Sequence, residues 1–325
     1  MLLPDSSALV CLASLSVAVA SAISRYRNRE DDRPKMVLIT GAAQGLGRAM
    51  VLELIKRGDF VVGSDVNSEG LQTLEIEYPR SFLALPMNVT DMKSVCEAAG
   101  RLFKYSGKPC LDAIVNNAGL MKGGPLIEIE DSSFVSIISV NILGTFFTTK
   151  YFFPLLKRGS TDFYKPRVIN LGSEVSYAQM APMFITPYSI TKFGVEAYSV
   201  GLRQELAVLD DPVYVTIICP GAHQTSMTDK SNDHMGAQIH GKSIYGNKLT
   251  LGNAIANKYM TLHVQPASAV GEAVAKIVHL IHPPTRKKVN VSLEMELARF
   301  VPQCILDFFL VSGLKASSSC LKPTE

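Results

Sequence analysis

From residue 36 onward, short apolar segments alternate with longer segments whose apolar residues recur at helical spacing. The first short segment, residues 36–40, is apolar up to its closing threonine, which is typical of a strand buried on both faces. A helix is predicted over residues 46–57, where Leu46, Met50 and Leu54 share one face and Gly58 ends the pattern. The same alternation predicts further strands at residues 60–64, 82–87, 113–115, 167–171, 213–218 and 288–291.

Strands that alternate with helices are joined by right-handed crossovers, which make neighbouring strands parallel and cover both faces of the sheet with helices. The sequence therefore predicts an α/β fold with a doubly wound, mostly parallel, seven-stranded sheet. No repeat or linker divides residues 36–295, so we expect a single domain there. Residues 1–35 form a predicted N-terminal membrane anchor with a basic flank, and residues 296–325 form an apolar C-terminal tail.

The composition is that of a folded protein with a reduced, metal-free interior. Of the 325 residues, 47% are hydrophobic and 19% are charged, which excludes a disordered or low-complexity chain. The net charge of +3 is too small to favour a nucleic-acid partner. The six cysteines form no Cys-x-x-Cys pair, so we expect free thiols. His279 and His282 have no acidic or thiol partner at metal-ligand spacing, so no metal site is predicted.

The N-terminal segment, residues 6–24, has no charged residue, and 13 of its 19 residues are apolar. As a helix it would be about 28 Å long, close to the ~30 Å hydrocarbon core of a bilayer. Basic residues follow it directly, and such residues stay in the cytosol, so we expect an anchor with a cytosolic domain behind it. These residues are Arg25, Arg27, Arg29, Arg33 and Lys35. A cleaved signal peptide and an interfacial or organelle-targeting segment remain alternatives.

Residues 300–311 near the C-terminus are also apolar, but the stretch is too short to span a bilayer and is interrupted by Asp307. Two interpretations are open. The stretch is either an ordinary helix packed on the core or a surface helix that touches a membrane or shields a substrate opening.

A glycine-rich turn joins the first strand to the first helix, with the spacing G-x-x-x-G-x-G at Gly41, Gly45 and Gly47. Glycines allow the backbone to turn tightly and to approach a pyrophosphate at the helix N-terminus. Asp65 follows the second strand, where a carboxylate can accept both ribose hydroxyls of adenosine and repel a 2′-phosphate. Gln44 supplies no positive charge that would attract this phosphate. We therefore predict that the cofactor is NAD rather than NADP.

Tyr188 and Lys192 lie four residues apart on a helix predicted to begin near Ser189, so their side chains share one face. A phenol with an ordinary pKa near ~10 is a poor base at neutral pH. An ammonium group close by favours the phenolate, so we expect Lys192 to lower the pKa of Tyr188 and make it a general acid or base.

Ser173 and Asn141 extend this candidate chemistry. Ser173 follows the strand at residues 167–171, at the carboxyl edge where such sheets bind ligands, and its hydroxyl can hold a substrate oxygen as the charge on that oxygen changes. Asn141 lies in an apolar helical stretch, where a buried amide needs partners. We expect it to hold a water that connects Lys192 to solvent.

Taken in order, the motifs resemble those of the short-chain dehydrogenase/reductase family. They are Thr40-Gly41-x-x-x-Gly45-x-Gly47, Asn116-Asn117-Ala118-Gly119, Asn141, Ser173, Tyr188-x-x-x-Lys192 and Pro220-Gly221-x-x-x-Thr225. The resemblance covers residues 36–295 and implies a Rossmann-type fold with a catalytic tetrad of Asn141, Ser173, Tyr188 and Lys192. The cofactor-binding residues that we predict with it are Thr40, Gly41, Gln44, Gly45, Leu46, Gly47, Asp65, Asn88, Val89, Asn117, Ala118, Gly119, Tyr188, Lys192, Pro220, Gly221 and Thr225.

The resemblance also assigns individual roles and shows two departures. Asn88 and Val89 would lie near the adenine, and Thr225 would meet the nicotinamide carboxamide, but the family usually has an aspartate where this chain has Asn88. Ser173 and Tyr188 are 15 residues apart, a longer spacing than is common in the family. Ser176 is therefore a rival for the serine role, although we favour Ser173 because residue 176 would lie beyond the strand end.

The implied reaction is hydride transfer between C4 of the nicotinamide and a carbinol or carbonyl carbon. Tyr188 would move the proton and Ser173 would orient the oxygen, and with NAD as cofactor alcohol oxidation is the expected direction. The predicted substrate-binding residues are Ser173, Met180, Met183 and Tyr188. Further apolar pocket candidates are Met121, Tyr177, Phe184 and Met227, with residues 226–261 as a lid over the substrate.

Residues 281–286 (Ile-His-Pro-Pro-Thr-Arg) and the apolar tail are similar to the membrane-associated retinol and hydroxysteroid dehydrogenase branch of the family. This implies a lipophilic steroid, retinoid or long-chain alcohol as substrate, a membrane as partner and the endoplasmic reticulum as location. By analogy with family members that form dimers or tetramers, we expect a homodimer. An NADPH-dependent carbonyl reductase and a non-catalytic, dinucleotide-binding membrane scaffold are the alternative functions.

Overall fold

A computed structural model describes residues 26, 28–105, 110–161, 163–209, 213–223 and 243–319, with side chains as far as residue 315. The predicted anchor at residues 6–24, Thr225, Met227 and the first part of the predicted lid, residues 226–242, lie outside the described residues.

Across these described ranges, seven strands form one sheet in which every neighbouring pair is parallel. In chain order the strands are β1 (Met36–Thr40), β2 (Phe60–Ser64), β3 (Phe82–Ala84), β4 (Ala113–Asn116), β5 (Arg167–Leu171), β6 (Tyr214–Pro220) and β7 (Arg286–Val289). Their order in the sheet is β3-β2-β1-β4-β5-β6-β7. Successive strands are added towards one edge of the sheet from β1 to β3 and towards the other edge from β4 onward. The carboxyl ends of β1 and β4 flank the crevice in which such sheets bind ligands. The predicted doubly wound fold is confirmed.

The helices of the described residues cover both faces of the sheet. They are α1 (Gly45–Lys56), α2 (Ser68–Glu77), α3 (Met92–Tyr105), α4 (Asp131–Ile138), α5 (Gly144–Lys157), α6 (Glu174–Ala178), α7 (Thr186–Val208), α8 (Asn247–His263), α9 (Ser268–His279), α10 (Leu293–Ala298) and α11 (Gln303–Ser319). A π-helical turn, Ser139–Leu143, joins α4 to α5.

Strand β1 shows how the sheet separates two hydrophobic cores. Val37 and Ile39 point to the face covered by α1 and α9, and Leu38 between them points to the face covered by α3 and α5. All three side chains are fully buried. Because successive side chains of a strand alternate between faces, a strand covered on both faces needs an unbroken apolar run, as residues 36–39 have.

Some element boundaries differ from the prediction. Strand β3 ends at Ala84 rather than at residue 87, and β7 begins at Arg286 rather than at residue 288. Helix α7 begins at Thr186 rather than near residue 189, with Pro187 in its first turn. Proline is well tolerated there because the first N–H groups of a helix have no partner within the helix.

Helix α11 lies on the surface, which favours the surface-helix interpretation of the C-terminal stretch over an ordinary helix packed on the core. Its large apolar side chains are mostly exposed: Ile305, Phe308, Phe309, Leu310 and Val311. Leu314 is buried and packs with Phe184 and with Leu249 of α8.

One continuous helical segment among the described residues, Asp131–Lys157, is long and apolar enough to cross a membrane by length and composition, with a mean hydropathy of 1.4. It comprises α4, the π-helical turn and α5. Phe152, Leu155 and Leu156 of this segment are buried in the core beneath the sheet. Packing inside the domain therefore accounts for part of its apolar character, while Val135, Leu143 and Phe146 remain exposed.

Candidate functional site

The glycine-rich turn wraps closely around the N-terminus of α1. Gly41 and Gly45 have φ angles of 69° and 56°, in the left-handed region that favours glycine. A side chain at Gly47 would overlap the carbonyl oxygen of Gly41. Gln44 makes no side-chain cap on the helix, and the first turn contains no acidic residue. The N–H groups at this helix end therefore suit an anion.

Asp65 lies beside this turn, directly after β2. Its carboxylate accepts hydrogen bonds from the backbone N–H of Ala43, at 3.1 Å, and of Asn67, at 3.0 Å. These two bonds fix the orientation of the carboxylate while leaving lone pairs on both oxygens. An uncapped helix N-terminus next to a fixed carboxylate suits the pyrophosphate and the ribose of a dinucleotide, so the residues present fit that cofactor.

Thr40 and Asn117 hold the turn from below. The Thr40 hydroxyl accepts hydrogen bonds from the backbone N–H of Asn117 and Ala118, at 3.1 and 3.0 Å. The Asn117 amide donates to the carbonyls of Thr40 and Gly41, at 2.9 and 3.2 Å. Thr40 is buried. These side chains therefore cross-link the ends of β1 and β4 and position the turn.

The remaining predicted cofactor residues lie at the same carboxyl edge with different surroundings. Asn88 is exposed, and its side-chain oxygen accepts from Thr90. Val89 is buried against Gly144 in the core. Leu46 packs on the core, and Gly119 faces Asn141. Pro220 ends β6, and at Gly221 an added side chain would overlap the carbonyl of Asn290.

Asn141 lies in the π-helical turn, a distortion that often occurs at functional sites. Its side-chain oxygen accepts from the backbone N–H of Leu120 at 2.7 Å. Its amide donates to the Leu120 carbonyl at 2.9 Å and to the Thr191 hydroxyl at 2.8 Å. Protein groups therefore occupy both polar atoms of this buried side chain, whereas we expected the amide to hold a water.

Ser173 and its rival Ser176 have different surroundings. Ser173 lies two residues beyond β5 as the N-cap of α6, and its side chain is hydrogen-bonded to that of Tyr188. The Ser176 hydroxyl donates to the Ser173 carbonyl at 3.0 Å, within the helix itself. This arrangement favours Ser173 over Ser176 as the partner of Tyr188.

Tyr188 and Lys192 lie one above the other on α7, as their spacing predicts. The Lys192 Nζ is 5.5 Å from the centroid of the Tyr188 ring and donates to the carbonyl of Leu171 at 2.7 Å. Lys192 is 8% exposed, so its amine points into the protein and not into bulk water. Ser173, Tyr188 and Lys192 are thus brought together at the carboxyl end of β5.

The pKa values of this pair differ from our expectation. Burial raises the pKa of Tyr188 to about 12, although the hydrogen bond with Ser173 opposes this change, and the charge of Glu174 raises the pKa further. Burial lowers the pKa of Lys192 to about 8. The prediction that Lys192 lowers the pKa of Tyr188 is therefore wrong for this structure, because burial raises this pKa and Lys192 is not among the groups that shift it.

The predicted pocket residues divide into two groups. Met180 and Met121 are half-buried and Met183 is 38% exposed, so all three retain accessible surface. Tyr177 and Phe184 are buried in separate apolar clusters. Tyr177 packs with Ile217, Cys219 and Val291, while Phe184 packs with Leu249 and Leu314. Through these clusters Tyr177 and Phe184 contact other elements of the domain.

Sequence reasoning missed two buried residues at this site. Thr191 accepts the hydrogen bond of Asn141, and its own hydroxyl donates to the Tyr188 carbonyl at 2.7 Å. Glu174 is a buried carboxylate directly after Ser173. Its position beside a candidate catalytic residue was visible in the sequence, but its burial was not. In the portion of the chain that the structure describes, no three His, Cys, Asp or Glu side chains are grouped to hold a metal ion.

Comparison with known proteins identifies relatives along most of the chain. The family model described as short chain dehydrogenase matches residues 35–236. An NADPH-dependent 3-dehydrocapnine reductase from Ornithobacterium rhinotracheale is 26% identical over 285 residues, which are 86% of this chain and 98% of that relative. Retinol dehydrogenase 16 from Homo sapiens is 27% identical over 303 residues, or 89% of this chain and 91% of the relative.

A shorter match has higher identity, and a solved structure shares the fold. Short-chain dehydrogenase/reductase family 9C member 7 from Mus musculus is 34% identical over 194 residues, and the match spans only 59% of each chain. The crystal structure of a short chain dehydrogenase/reductase from Burkholderia phymatum in complex with NAD superimposes with a TM-score of 0.68 at 18% identity. The superposition covers 91% of this chain and 99% of the chain from Burkholderia phymatum.

Proposed function

The chain belongs to the short-chain dehydrogenase family, and from this premise we propose that it is an NAD-dependent oxidoreductase that interconverts a lipophilic secondary or allylic alcohol and its carbonyl. The observation that carries the proposal is the grouping of Ser173, Tyr188 and Lys192 beside the glycine-rich turn at one edge of the sheet. Hydride transfer needs a cofactor and a proton-transfer group at the same carbon, and this edge can hold both.

Each residue of the group has a separate part in the proposed reaction. The bound nicotinamide would supply the carbon that accepts or gives the hydride. Tyr188 would take the hydroxyl proton of the substrate during oxidation and return it during reduction. Ser173, hydrogen-bonded to Tyr188, would orient the substrate oxygen and favour the phenolate. Lys192, whose pKa is lowered only to about 8, would keep much of its positive charge at neutral pH and stabilise negative charge on the oxygens.

The cofactor preference rests on Asp65. Its carboxylate is fixed by the N–H groups of Ala43 and Asn67 at the place where an adenosine ribose would lie. A charged acceptor there would bind two hydroxyls and repel a 2′-phosphate. A relative that matches nearly along its full length is named as NADPH-dependent, and this makes an NADPH-dependent carbonyl reductase the second candidate.

Replacing Asp65 by asparagine is expected to lower the ratio of kcat/KM for NAD to kcat/KM for NADP at least about tenfold, because charge-assisted bonds to the ribose are weakened and repulsion of the 2′-phosphate is removed. Initial rates with both cofactors check this. Glu69→Gln in α2 is the matched control, since it removes an exposed carboxylate four residues away. An unchanged ratio in Asp65→Asn, or a wild type that prefers NADP, would contradict the assignment.

The substrate class is proposed from apolar surface and from relatives. Met180 and Met183 keep accessible surface next to Ser173 and Tyr188 along the chain. Methionine side chains adapt to irregular apolar ligands. The exposed apolar face of α11 and the similarity to a retinol dehydrogenase support a steroid, retinoid or long-chain alcohol taken from a membrane. We extend the proposal to an endoplasmic reticulum location, a cytosolic catalytic domain and a homodimer.

A substrate panel tests this function. Full-length protein in membrane fractions is incubated with NAD and with retinoid, hydroxysteroid or long-chain alcohols, and NADH formation is followed by absorbance. We expect turnover with at least one lipophilic alcohol and none in the same membranes without the protein. No turnover on alcohols with NAD, or on the matching ketones and aldehydes with NADH or NADPH, would reject the enzyme and favour the non-catalytic scaffold.

A further inference from the structure

A buried carboxylate lies directly behind the proposed catalytic serine. Glu174 is the first residue of α6, next to the N-cap Ser173, and is 7% exposed. Ionised side chains are rarely buried without hydrogen-bonding partners, because removing a charge from water is costly. The proposed proton-transfer steps at Tyr188 make no use of this carboxylate.

Its partners come from two elements that are distant along the chain. The Tyr259 hydroxyl of α8 donates to Glu174 Oε2 at 2.9 Å. The same hydroxyl lies 2.9 Å from the Ser292 Oγ, and since a phenol has a single proton, the Ser292 hydroxyl donates to it. Ser292 is itself the N-cap of α10 and accepts from the backbone N–H of Met295 at 3.2 Å. Every hydrogen bond in this series therefore has a donor and an acceptor.

The carboxylate also contacts the turn that follows β6. A side chain added at Gly221 would come within 3.1 Å of Glu174 Oε2 and would overlap the Asn290 carbonyl. Glu174 is thus enclosed by the loop after β6, by α8 and by the start of α10. Helix α8 contains most of the described part of the predicted lid, so movement of α8 would be transmitted to the turn that carries Ser173.

We propose that Glu174 is a positioning residue: through Tyr259 and Ser292 its carboxylate fixes the turn that carries Ser173 and couples this turn to α8. The inference rests on the proposed function, since it concerns the placement of the serine in that reaction. We name these three hydrogen-bonded residues the carboxylate latch: Glu174, Tyr259 and Ser292.

The negative charge of Glu174 acts on the site in addition to the hydrogen bonds of the carboxylate latch. Burial raises the pKa of Glu174, and the hydrogen bonds from Tyr259 and from the Ser292 backbone oppose this. The titratable groups that face it are His263 of α8 and Glu294 of α10, which lie 3.7 Å apart. On the side of α7 it faces Tyr188, whose phenolate its negative charge disfavours. Removing the charge while keeping the hydrogen bond is therefore expected to make Tyr188 a stronger acid.

Two substitutions separate these effects. Glu174→Gln keeps an oxygen that can accept from Tyr259 but removes the charge, and Tyr259→Phe removes the bond but keeps the charge. Glu97→Gln, in an exposed position of α3, is the control for loss of a carboxylate. For each variant, kcat and KM for alcohol oxidation are measured across pH, and melting temperatures are measured for the single variants, for Glu174→Ala and for the double variant Glu174→Ala/Tyr259→Phe.

We expect Tyr259→Phe to lower kcat at least about fivefold with little change in the KM for NAD, because Ser173 is displaced while the cofactor turn is untouched. In Glu174→Gln the rise of the oxidation rate with pH should move to lower pH by at least about 0.5 unit, which is about a threefold higher rate at a given pH on this rise. The double variant should melt at a higher temperature than additive losses predict, since both changes break the same bond. Loss of a merely structural carboxylate would not move the pH profile of oxidation.

An unchanged pH profile of oxidation in Glu174→Gln together with an unchanged kcat in Tyr259→Phe would overturn the inference even though the enzyme is active. Absence of wild-type turnover would instead contradict the proposed function. In that case the melting temperatures decide: strictly additive losses in the double variant would show that Glu174 and Tyr259 are not coupled and would reject the latch.

Discussion

Replacing Tyr188 by phenylalanine is expected to lower kcat by about 10³-fold or more while leaving the Kd for NADH within about twofold of the wild-type value. A positioned proton-transfer group contributes about 10² to 10⁴ in rate, and the substitution removes only the hydroxyl oxygen. The aromatic ring remains beside the Lys192 amine, at the 5.5 Å separation that favours cation–π attraction. The hydroxyl of Ser173 loses its partner, which adds to the loss of rate.

Rates from single-turnover experiments and Kd values from NADH fluorescence titration check this prediction. Tyr198→Phe is the matched control, because it makes the same change on the same helix, at a tyrosine hydrogen-bonded to Thr149 rather than to Ser173. Tyr198→Phe should keep at least about half of the wild-type kcat. A Tyr188→Phe variant that turns over at the wild-type rate would exclude proton transfer by this phenol.

The pH dependence of the wild type follows from the same residue. Because burial raises the pKa of Tyr188 to about 12, the phenol is protonated at neutral pH and ready to donate a proton to a carbonyl oxygen. Oxidation needs the phenolate, so its rate should rise with pH across the range in which the protein is stable. Reduction should stay nearly constant over the same range, because the phenol remains protonated at pH values well below its pKa. Any positive charge brought near the phenol on cofactor binding would shift the rise in oxidation to lower pH.

The strands could be predicted because each is a short apolar run between polar turns. Residues 36–40, 60–64 and 167–171 are predicted with the boundaries that the structure has. A strand covered on both faces has few alternatives to such a run, and the parallel order follows from the helices between strands. The start of α7 was missed because a polar threonine and Pro187 open it, although proline in a first helical turn is itself an indication.

The electrostatics of the site could not be predicted in the same way. The spacing of Tyr188 and Lys192 gives their shared helical face, but the pKa of each depends on burial by elements from other parts of the chain. Glu174 and Tyr259 are 85 residues apart, and no local sequence pattern predicts their hydrogen bond. The π-helical turn around Asn141 could not be predicted either, because Val140, Ile142 and Leu143 are apolar whichever way the turn is wound, so the shift of one residue leaves no visible change in the pattern.

Replacing Gly47 by alanine is expected to raise the Kd for NADH by about 10- to 100-fold, because an alanine methyl group cannot be accommodated against the Gly41 carbonyl. Gly41 has a φ angle of 69°, and its carbonyl accepts from the Asn117 amide at 3.2 Å. Pushing this carbonyl outward breaks that bond and moves the turn away from the N-terminus of α1. The N–H groups would then no longer converge on the pyrophosphate.

Gly201→Ala provides the control for adding a methyl group to a helix. Gly201 lies within α7, and a side chain there would meet no atom within 4 Å. Since alanine is the better helix former by up to about 1 kcal/mol, Gly201→Ala should leave the Kd unchanged and raise the melting temperature slightly. Fluorescence titration of both variants, with circular dichroism to verify the fold, makes the comparison. A folded Gly47→Ala variant with the wild-type Kd would mean that the dinucleotide does not bind at this turn, and the chemistry assigned to Tyr188 would then lack its hydride partner at this edge of the sheet.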